Sequence, residues 1–217
     1  MVGLRHRKKT SNNLKISNMT TIELAEVCQK GNFVALVSRN DEDNTWYAAE
    51  LCEYVNQINS GVILYFSLKA ESKDFRSAFP EVVVEIDDTP AVSIEELEYK
   101  VKNRNRTSKI NMVVVDHLCL MTTHNTCLSW RAQNEKILSK LKQLSVQEKI
   151  SVLALLPVSR YAPTDYSIKK ELETYYGDFT SWVDLVVEVV PDMIGCKDRI
   201  NCVHIEKMPM CYAVDND

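Results

Sequence analysis

The chain has 217 residues, of which 45% are hydrophobic and 26% are charged, and its formal net charge is −4. This length suits one large domain or two small ones, and the composition is that of a soluble globular protein with a substantial core. The nearly balanced charge excludes a whole-molecule electrostatic argument for nucleic-acid binding. Residues 1–18, which include a cluster of basic residues at 5–9, are predicted to be a flexible tail, and residues 19–217 a single domain.

The seven cysteines form no disulfide or metal-binding pattern, because their number is odd and no pair has CxxC spacing. We expect most of them to be buried free thiols. The sequence shows no signal peptide, and no apolar run approaches the ~18 residues of a membrane span. These features predict a cytoplasmic protein.

Apolar runs of strand length alternate with amphipathic segments of helix length along the chain. The predicted elements in chain order are helix 20–30, strand 33–38, helix 45–58, strand 62–66, helix 72–79, strand 82–86, helix 93–103, strand 112–118, helix 130–148, and strands 151–156, 184–190, 202–207 and 211–214. Nearly continuous apolar strands separated by helices predict an α/β fold. We expect a mainly parallel twisted sheet with helices on both faces and antiparallel strands at its C-terminal edge.

The segment between the first strand and the second helix, Arg39 to Asn44, has an unusual composition. An α/β nucleotide-binding protein places a Gly-rich phosphate-binding loop here, closed by Lys and then Ser or Thr. Thr45 is present, but the segment contains no Gly and no Lys and has three carboxylates at positions 41–43. A loop of this charge repels phosphate: a carboxylate ~4 Å from a phosphate oxygen costs about 4 kcal/mol at an effective dielectric near 20.

Two interpretations of this segment remain open from the sequence. Carboxylates are favourable at a helix N-terminus, so Asp41, Asp43 or Asn44 can occupy the backbone amides that would otherwise hold phosphate. The alternative is that the segment binds a ligand. A calcium site built on Asp41, Asp43 and Thr45 lacks the required Gly and the distal Glu.

Several segments, taken together in order and spacing, resemble the C-terminal domain of DnaB-type replicative helicases. These segments are 39–45, 62–69, 86–97, 112–121 and 137–160, followed by Gly177 and Asp184. The first resembles the family's P-loop, the second its "FFSLE" strand, and the fourth its Walker B strand. The resemblance implies a RecA-like fold of the P-loop NTPase type and, for the family, ATP-dependent DNA unwinding in DNA replication with Mg²⁺.

The same resemblance identifies positions at which this chain departs from the family. Asn44 stands where the family has the P-loop Lys, and Asp43 stands where it has Gly. Lys69 replaces the catalytic Glu, and Pro157 replaces a Gln that senses the γ-phosphate. A Lys cannot act as a base toward water, and Pro has no donor to offer a phosphate. We therefore expect a degenerate Walker A motif and no working catalytic residues.

Three family positions are retained, namely Arg39, Thr45 and Asp116. In the family the carboxylate that corresponds to Asp116 supports Mg²⁺. The simpler interpretation is a buried carboxylate that is hydrogen-bonded to Thr45 or to backbone amides. Near the C-terminus Lys207 is kept, but the family's neighbouring Arg is absent.

The sequence does not identify DNA-binding residues. The two segments that face the ring channel in the family, here 122–130 and 161–176, have few unopposed cations. Aromatic residues of the second segment can stack on bases or pack on the domain itself. A basic group at a helix end indicates a solvated face that suits the helix dipole, and it consists of Lys100, Lys102, Arg104, Arg106 and Lys109.

We therefore expect a DnaB-like domain that has lost ATP hydrolysis and unwinding. Such a pseudoenzyme would act by binding another protein or a second copy of itself, without a cofactor or a metal. Two alternatives remain: an ATPase with an atypical P-loop that binds ATP and Mg²⁺ through residues such as Thr45 and Asp116, and a DNA-binding module without ATPase activity.

Overall fold

The structure is a computed structural model that describes residues 21–28, 31–39, 41–125, 127–158, 168–190 and 201–207. The predicted tail at 1–18 and the predicted strand at 211–214 lie outside these residues. Helices α1 to α6 are Thr21–Val27, Asp41–Ile58, Ser72–Ala78, Ile94–Thr107, Trp130–Glu148 and Ile168–Tyr176. Strands β1 to β7 are Phe33–Ser38, Val62–Ser67, Glu85–Asp87, Ile110–Asp116, Ser151–Pro157, Leu185–Val190 and Asn201–Lys207. Short 3₁₀ turns occupy Leu118–Leu120 and Phe179–Ser181.

The strands form one sheet in the order β3-β2-β4-β5-β1-β6-β7. Strands β1 to β6 run parallel to their neighbours, and β7 runs antiparallel to β6 at the edge. The predicted α/β fold class is therefore confirmed. In this register Ser38 lies opposite Pro157, and Ser67 lies opposite Asp116. The carboxyl ends of β1, β2, β4 and β5 thus meet at one edge of the sheet, where ligands bind in open α/β folds.

Helices cover both faces of the sheet, because its strands are apolar on both sides. On one face the core includes Leu97 of α4 and Leu141 of α5. On the other face it includes Leu24 of α1, Cys52 of α2 and Phe75 of α3. Burial raises the pKa of both thiols on this second face, to about 12 for Cys28. The expectation that most cysteines are buried free thiols is met by only two of the four described ones: Cys28 and Cys52 are buried, Cys119 is partly buried, and Cys127 is exposed.

The ends of α4 and α5 are set by side-chain caps. The Ser93 hydroxyl accepts a hydrogen bond from the backbone N–H of Glu96 at 3.1 Å, and the Ser129 hydroxyl accepts one from the N–H of Ala132 at 3.3 Å. Such caps satisfy amides that have no partner inside the helix. α4 continues to Thr107, four residues beyond the predicted end at 103.

The predicted strand 82–86 is wrong in its position, because β3 covers only Glu85–Asp87. Just before β3, backbone carbonyls accept hydrogen bonds from side chains instead of from a neighbouring strand. The carbonyl of Val83 accepts a hydrogen bond from Asn56 Nδ2 at 2.7 Å, and that of Val84 accepts one from Arg76 Nη2 at 3.4 Å. A run of valines has high strand propensity, but these tertiary contacts determine where the ladder begins.

The predicted solvated face at the basic end of α4 is only partly present. Three of its five cations form ion pairs with neighbouring carboxylates, and these pairs are Lys100 with Asp87 and Glu96, Lys102 with Glu98, and Arg104 with Glu85. Two further pairs join α4 to α5: Glu95 with Lys136, and Glu98 with Lys140.

Arg104→Gln is expected to reduce the acid sensitivity of the protein. Arg104 binds Glu85 of β3 through two hydrogen bonds, of 2.6 and 2.8 Å. These bonds hold the pKa of the Glu85 carboxyl below its ordinary value. A carboxyl with a lowered pKa stabilises the fold above its unfolded pKa of about 4.3, and this contribution is lost as the pH falls through the folded value.

Urea unfolding at pH 7, 5, 4 and 3 measures this effect. The wild type is expected to lose more stability than the variant as the pH falls below about 5. Lys73→Gln makes the same change of charge in the exposed pair with Glu71 and serves as the control. A difference between Arg104→Gln and the wild type that does not change with pH would contradict the prediction.

Candidate functional site at the carboxyl edge of the sheet

The segment that joins β1 to α2 is shorter than predicted. Helix α2 begins at Asp41, so only Arg39 and Asn40 lie between it and the end of β1 at Ser38. The predicted loop 39–44 and the predicted helix start at Thr45 are therefore wrong for residues 41–44. The physical reason is that carboxylates stabilise the first turn of a helix, and this chain has three of them in succession at 41–43.

This helical turn changes what the backbone amides can bind. A P-loop surrounds phosphate with amides that are free because the chain there is not yet helical. In a regular helix that begins at Asp41, the N–H of Thr45 is directed to the carbonyl of Asp41. The N–H groups of residues 41–43, in the first turn, have no acceptor inside the helix, but they lie in a helical turn and do not form a loop that surrounds a phosphate.

Asn44, at the position of the family's P-loop Lys, is buried with only 1% of its surface exposed. Neither polar atom of its side-chain amide has a hydrogen-bond partner. A buried amide without partners costs about 1–3 kcal/mol. The side chain therefore lies inside the protein instead of facing the solvent at the sheet edge.

Asp116, the last residue of β4, lies at the centre of a buried polar cluster. Its Oδ2 accepts hydrogen bonds from the Thr45 hydroxyl at 3.1 Å and from the Tyr65 hydroxyl at 2.8 Å. Its Oδ1 lies 2.7 Å from His117 Nδ1. Asp116 is 3% exposed and His117 is 5% exposed. The hydrogen bond to Thr45, one of the two interpretations of Asp116, is present.

Burial, followed by the charge of Asp116, raises the pKa of the Tyr65 hydroxyl well above its ordinary value. The phenol therefore keeps its proton and donates a hydrogen bond to the carboxylate. His117 has a φ of 66°, a left-handed conformation that is uncommon for a residue other than glycine. This turn at the end of β4 directs the imidazole back toward the preceding carboxylate.

Tyr65 and His117 are the members of this cluster that sequence reasoning did not single out. The available signal was weak: a Tyr inside an otherwise aliphatic stretch of β2, and a His directly after Asp116. Because β2 and β4 are adjacent, with Tyr65 opposite Val114, the phenol reaches the end of the neighbouring strand. We define Asp116, Thr45, Tyr65 and His117 as the Asp116 cluster.

Most of the remaining candidate positions lie at the carboxyl ends of the parallel strands, whereas Lys207 pairs with Leu185 at the amino edge of the sheet. Arg39 directly follows β1 and is partly buried, and Lys69 is exposed two residues beyond the end of β2. Pro157 is the last residue of β5 and pairs with Ser38. For Asp43 the structure describes the helical backbone only, and Lys207 ends β7.

The first segment considered for DNA contact is held on α4. Thr122 exchanges backbone hydrogen bonds with Val92 and Ile94, and the N–H of His124 donates to a Glu95 carboxylate oxygen at 3.1 Å. The His124 ring lies 3.0 Å from the Ser93 hydroxyl. These contacts fix the start of the segment against the protein.

The second segment contributes α6 from Ile168 onward, and residues 159–167, with Tyr161 and Tyr166, lie outside the described residues. Of its aromatic residues, Tyr176 is buried against Phe179, whereas Tyr175 is 53% exposed. Gly177 follows with a φ of 71°, and a side chain there would meet Glu135. At least Tyr176 therefore packs on the domain itself.

Among the described residues, no group of three or more His, Cys, Asp or Glu side chains is arranged to hold a metal ion. Within the same residues, no helix has both the length and the apolar character needed to cross a membrane.

Comparison with known proteins gives a consistent result. Residues 9–167 match the model of the DnaB-like helicase C-terminal domain family. A search of curated proteins found no relative that matches the chain.

Similar solved structures include one described as an ATPase domain, with 17% identity, a TM-score of 0.66, and 76% of this chain and 71% of that chain covered. A DnaB-like replicative helicase, described with its interactions with primase, has 16% identity, a TM-score of 0.66, and coverage of 76% and 49%. A KaiC-like protein from the archaeon Pyrococcus horikoshii has 14% identity, a TM-score of 0.56, and coverage of 83% and 81%. The structural likeness shows the RecA-like fold, and the family match covers more than half of the sequence. The chain therefore belongs to the family of DnaB-like helicase C-terminal domains.

Proposed function

We propose that this chain is a non-catalytic member of its family, which neither binds Mg-ATP productively nor hydrolyses it. The observation that carries the proposal is the start of α2 at Asp41, which places the residues of a phosphate loop in a helix. To surround a phosphate as a P-loop does, residues 41–44 would have to leave the helix. The three carboxylates at these positions would then repel the phosphates.

The side chains also fit Mg²⁺ and ATP poorly. Asn44 is neutral and buried, so it supplies no charge to a phosphate. Phosphoryl transfer depends on positioning and on neutralising charge. Lys69 and Pro157 provide neither a base nor a side-chain donor at the ends of β2 and β5.

The Asp116 cluster supports the same proposal. Thr45 and Asp116 are the two residues that would hold Mg²⁺ in a P-loop NTPase. Here both oxygens of Asp116 already have protein partners, and the carboxylate is 3% exposed. A metal would have to displace these partners, and its own hydration shell is costly to remove.

The domain would then act through binding to a protein, in the cytoplasm. One structural neighbour is described with its interactions with primase, which supports a protein of the replication machinery as the class of partner. A second copy of the chain is the other candidate, because related domains in the family assemble with copies of themselves. Neither requires the site at the carboxyl edge to turn over ATP.

Thermal unfolding with 1 mM Mg-ATP, together with an assay of phosphate release, tests this proposal. A ligand at 100 times its Kd stabilises a protein by about 2.7 kcal/mol, which corresponds to roughly 5–10 °C in Tm for a chain of this size. We expect a shift below about 1 °C and no phosphate release above the rate in buffer. A nucleotide-dependent shift of several degrees would overturn the proposal.

A variant with family residues restored distinguishes two possible causes of weak Mg-ATP binding: the altered side chains and the acidic helical turn. Asn44→Lys combined with Lys69→Glu restores two of the four altered positions but leaves the three carboxylates of the first turn of α2 unchanged. We expect this double variant to remain without a Mg-ATP shift, because residues 41–44 still form a helical turn and the three carboxylates at 41–43 still repel phosphate. If it binds Mg-ATP, the helical turn is not the obstacle.

A further inference from the structure

The cations of α4 and α5 and of the turns that follow them fall into two groups. Every cation from Lys100 to Arg104 on α4, and from Arg131 to Lys142 on α5, forms an ion pair with a carboxylate. Arg106, Lys109 and Lys149 are exposed, and among the described residues none of them has an ion pair or a side-chain hydrogen bond. We call these three residues the basic corner.

The fold brings the basic corner together at the amino edge of the sheet. Lys109 directly precedes β4, and Lys149 lies two residues before β5, which pairs with β4. The ends of α4 and α5 are joined there by a hydrogen bond of 3.0 Å from Asn105 Nδ2 to Glu148 Oε2. Glu148 is the carboxylate beside the corner, and this bond holds it to Asn105. The Asp116 cluster lies at the opposite edge of the sheet.

An exposed aromatic residue lies in line with these cations. Tyr99 is 68% exposed on α4, one of the largest exposed apolar surfaces of the described chain. Because it lies seven residues before Arg106, the two side chains share one face of the helix, about 10 Å apart along its axis. The surface therefore offers a flat ring followed by three positive charges.

Lys149 occupies a backbone conformation that favours glycine. It caps α5 with a φ of 55° and a ψ of 39°, in the left-handed region. Glycine is the usual residue at such a helix end, because a Cβ is disfavoured there. The chain places a cation at this position, where glycine is the usual residue, so the turn after α5 adds a positive charge to the basic corner.

We propose that Tyr99 and the basic corner bind single-stranded nucleic acid, with phosphates on the three cations and a base stacked on Tyr99. This site goes beyond the proposed function, since it needs neither the carboxyl edge nor ATP. A single strand fits better than an acidic protein because a base has a π-face for the tyrosine and adjoining phosphates for the cations. The expected affinity is modest and falls with salt, because three cations carry it.

Binding of a fluorescein-labelled oligothymidine 20-mer to the full chain, at 25 to 200 mM NaCl, tests the proposal. With three phosphate contacts, log K against log salt is expected to fall with a slope of about −2. Arg106→Gln combined with Lys109→Gln should weaken binding at least tenfold and reduce this slope by more than half, and Tyr99→Ala should weaken binding by roughly tenfold. The control pair, Lys73→Gln with Arg131→Gln, makes the same change of net charge in exposed ion pairs elsewhere.

Three results would overturn the proposal: no saturable binding at 25 mM NaCl, equal weakening by the corner variant and the control, or polyglutamate that displaces the oligonucleotide as effectively as unlabelled oligothymidine. The last result would indicate an acidic protein partner. All variants keep the N-terminal basic residues, so binding through that tail would leave the corner variant unaffected. Lys149→Gly provides a second test, because this substitution is expected to raise the Tm and at the same time to weaken oligonucleotide binding. A Tm increase with unchanged affinity would remove Lys149 from the site.

Discussion

Replacing Asp116 with alanine is expected to lower the free energy of unfolding by about 3–5 kcal/mol. The change removes the acceptor for the hydroxyls of Thr45 and Tyr65 and the neighbour of the His117 ring. The Tyr65 and His117 side chains would remain buried without that partner, and unsatisfied buried polar groups are costly. Urea unfolding followed by circular dichroism at pH 7 measures the loss as a lower midpoint with an unchanged slope.

Two further variants show whether the carboxylate itself is responsible. Tyr65→Phe removes one hydrogen bond from the cluster and should cost only about 1–2 kcal/mol. Asp116→Asn keeps an acceptor and should fall between the wild type and Asp116→Ala. If Asp116→Ala leaves stability unchanged or raises it, the residue behaves like a functional group held at a cost to the fold. The proposal of a non-catalytic domain would then lose the support that it takes from the Asp116 cluster.

Most of the fold could be predicted because its strands are apolar and are separated by amphipathic helical segments. β1, β5 and α5 lie within one residue of their predicted ends, since their hydrophobic patterns mark them clearly. β3 was misplaced because three valines in succession have strand propensity wherever they occur. Only the tertiary contacts of Asn56 and Arg76 with this segment determine that the ladder starts later.

The candidate site, like the fold, could be predicted only in part. The contact between Thr45 and Asp116 was accessible from the order of the motifs, because the residues follow β1 and end β4. The helical state of residues 41–44 was not predicted, because the comparison with P-loops led to a loop being predicted there. Acidic residues in the first helical turn favour the alternative. The part played by Tyr65 depends on the pairing of β2 with β4, which a single sequence does not specify.

Lys142→Met is expected to lower the free energy of unfolding by about 2–4 kcal/mol, because it leaves a mostly buried carboxylate without its cation. Lys142 Nζ lies 2.5 and 2.6 Å from the two carboxylate oxygens of Asp184, and the two side chains are 15% and 17% exposed. Asp184 Oδ2 also accepts a hydrogen bond of 2.7 Å from the N–H of Phe33. The ion pair thereby ties α5 to the starts of both β1 and β6.

Lys140→Met supplies the matched control for this ion pair. Lys140 lies on the same helix, and its Nζ is 3.7 Å from Glu98 Oε2 with 36% of the side chain exposed. Exposed pairs of this kind contribute about 0–1 kcal/mol, so the control should remain close to the wild type in urea unfolding. Equal losses from the two substitutions would contradict the prediction, because they would show that the methionine itself, and not the unpaired Asp184, causes the effect. A large loss from Lys142→Met alone would identify the Asp184 pair as the contact that orders the junction of β1 and β6, from which the first strand leads into α2.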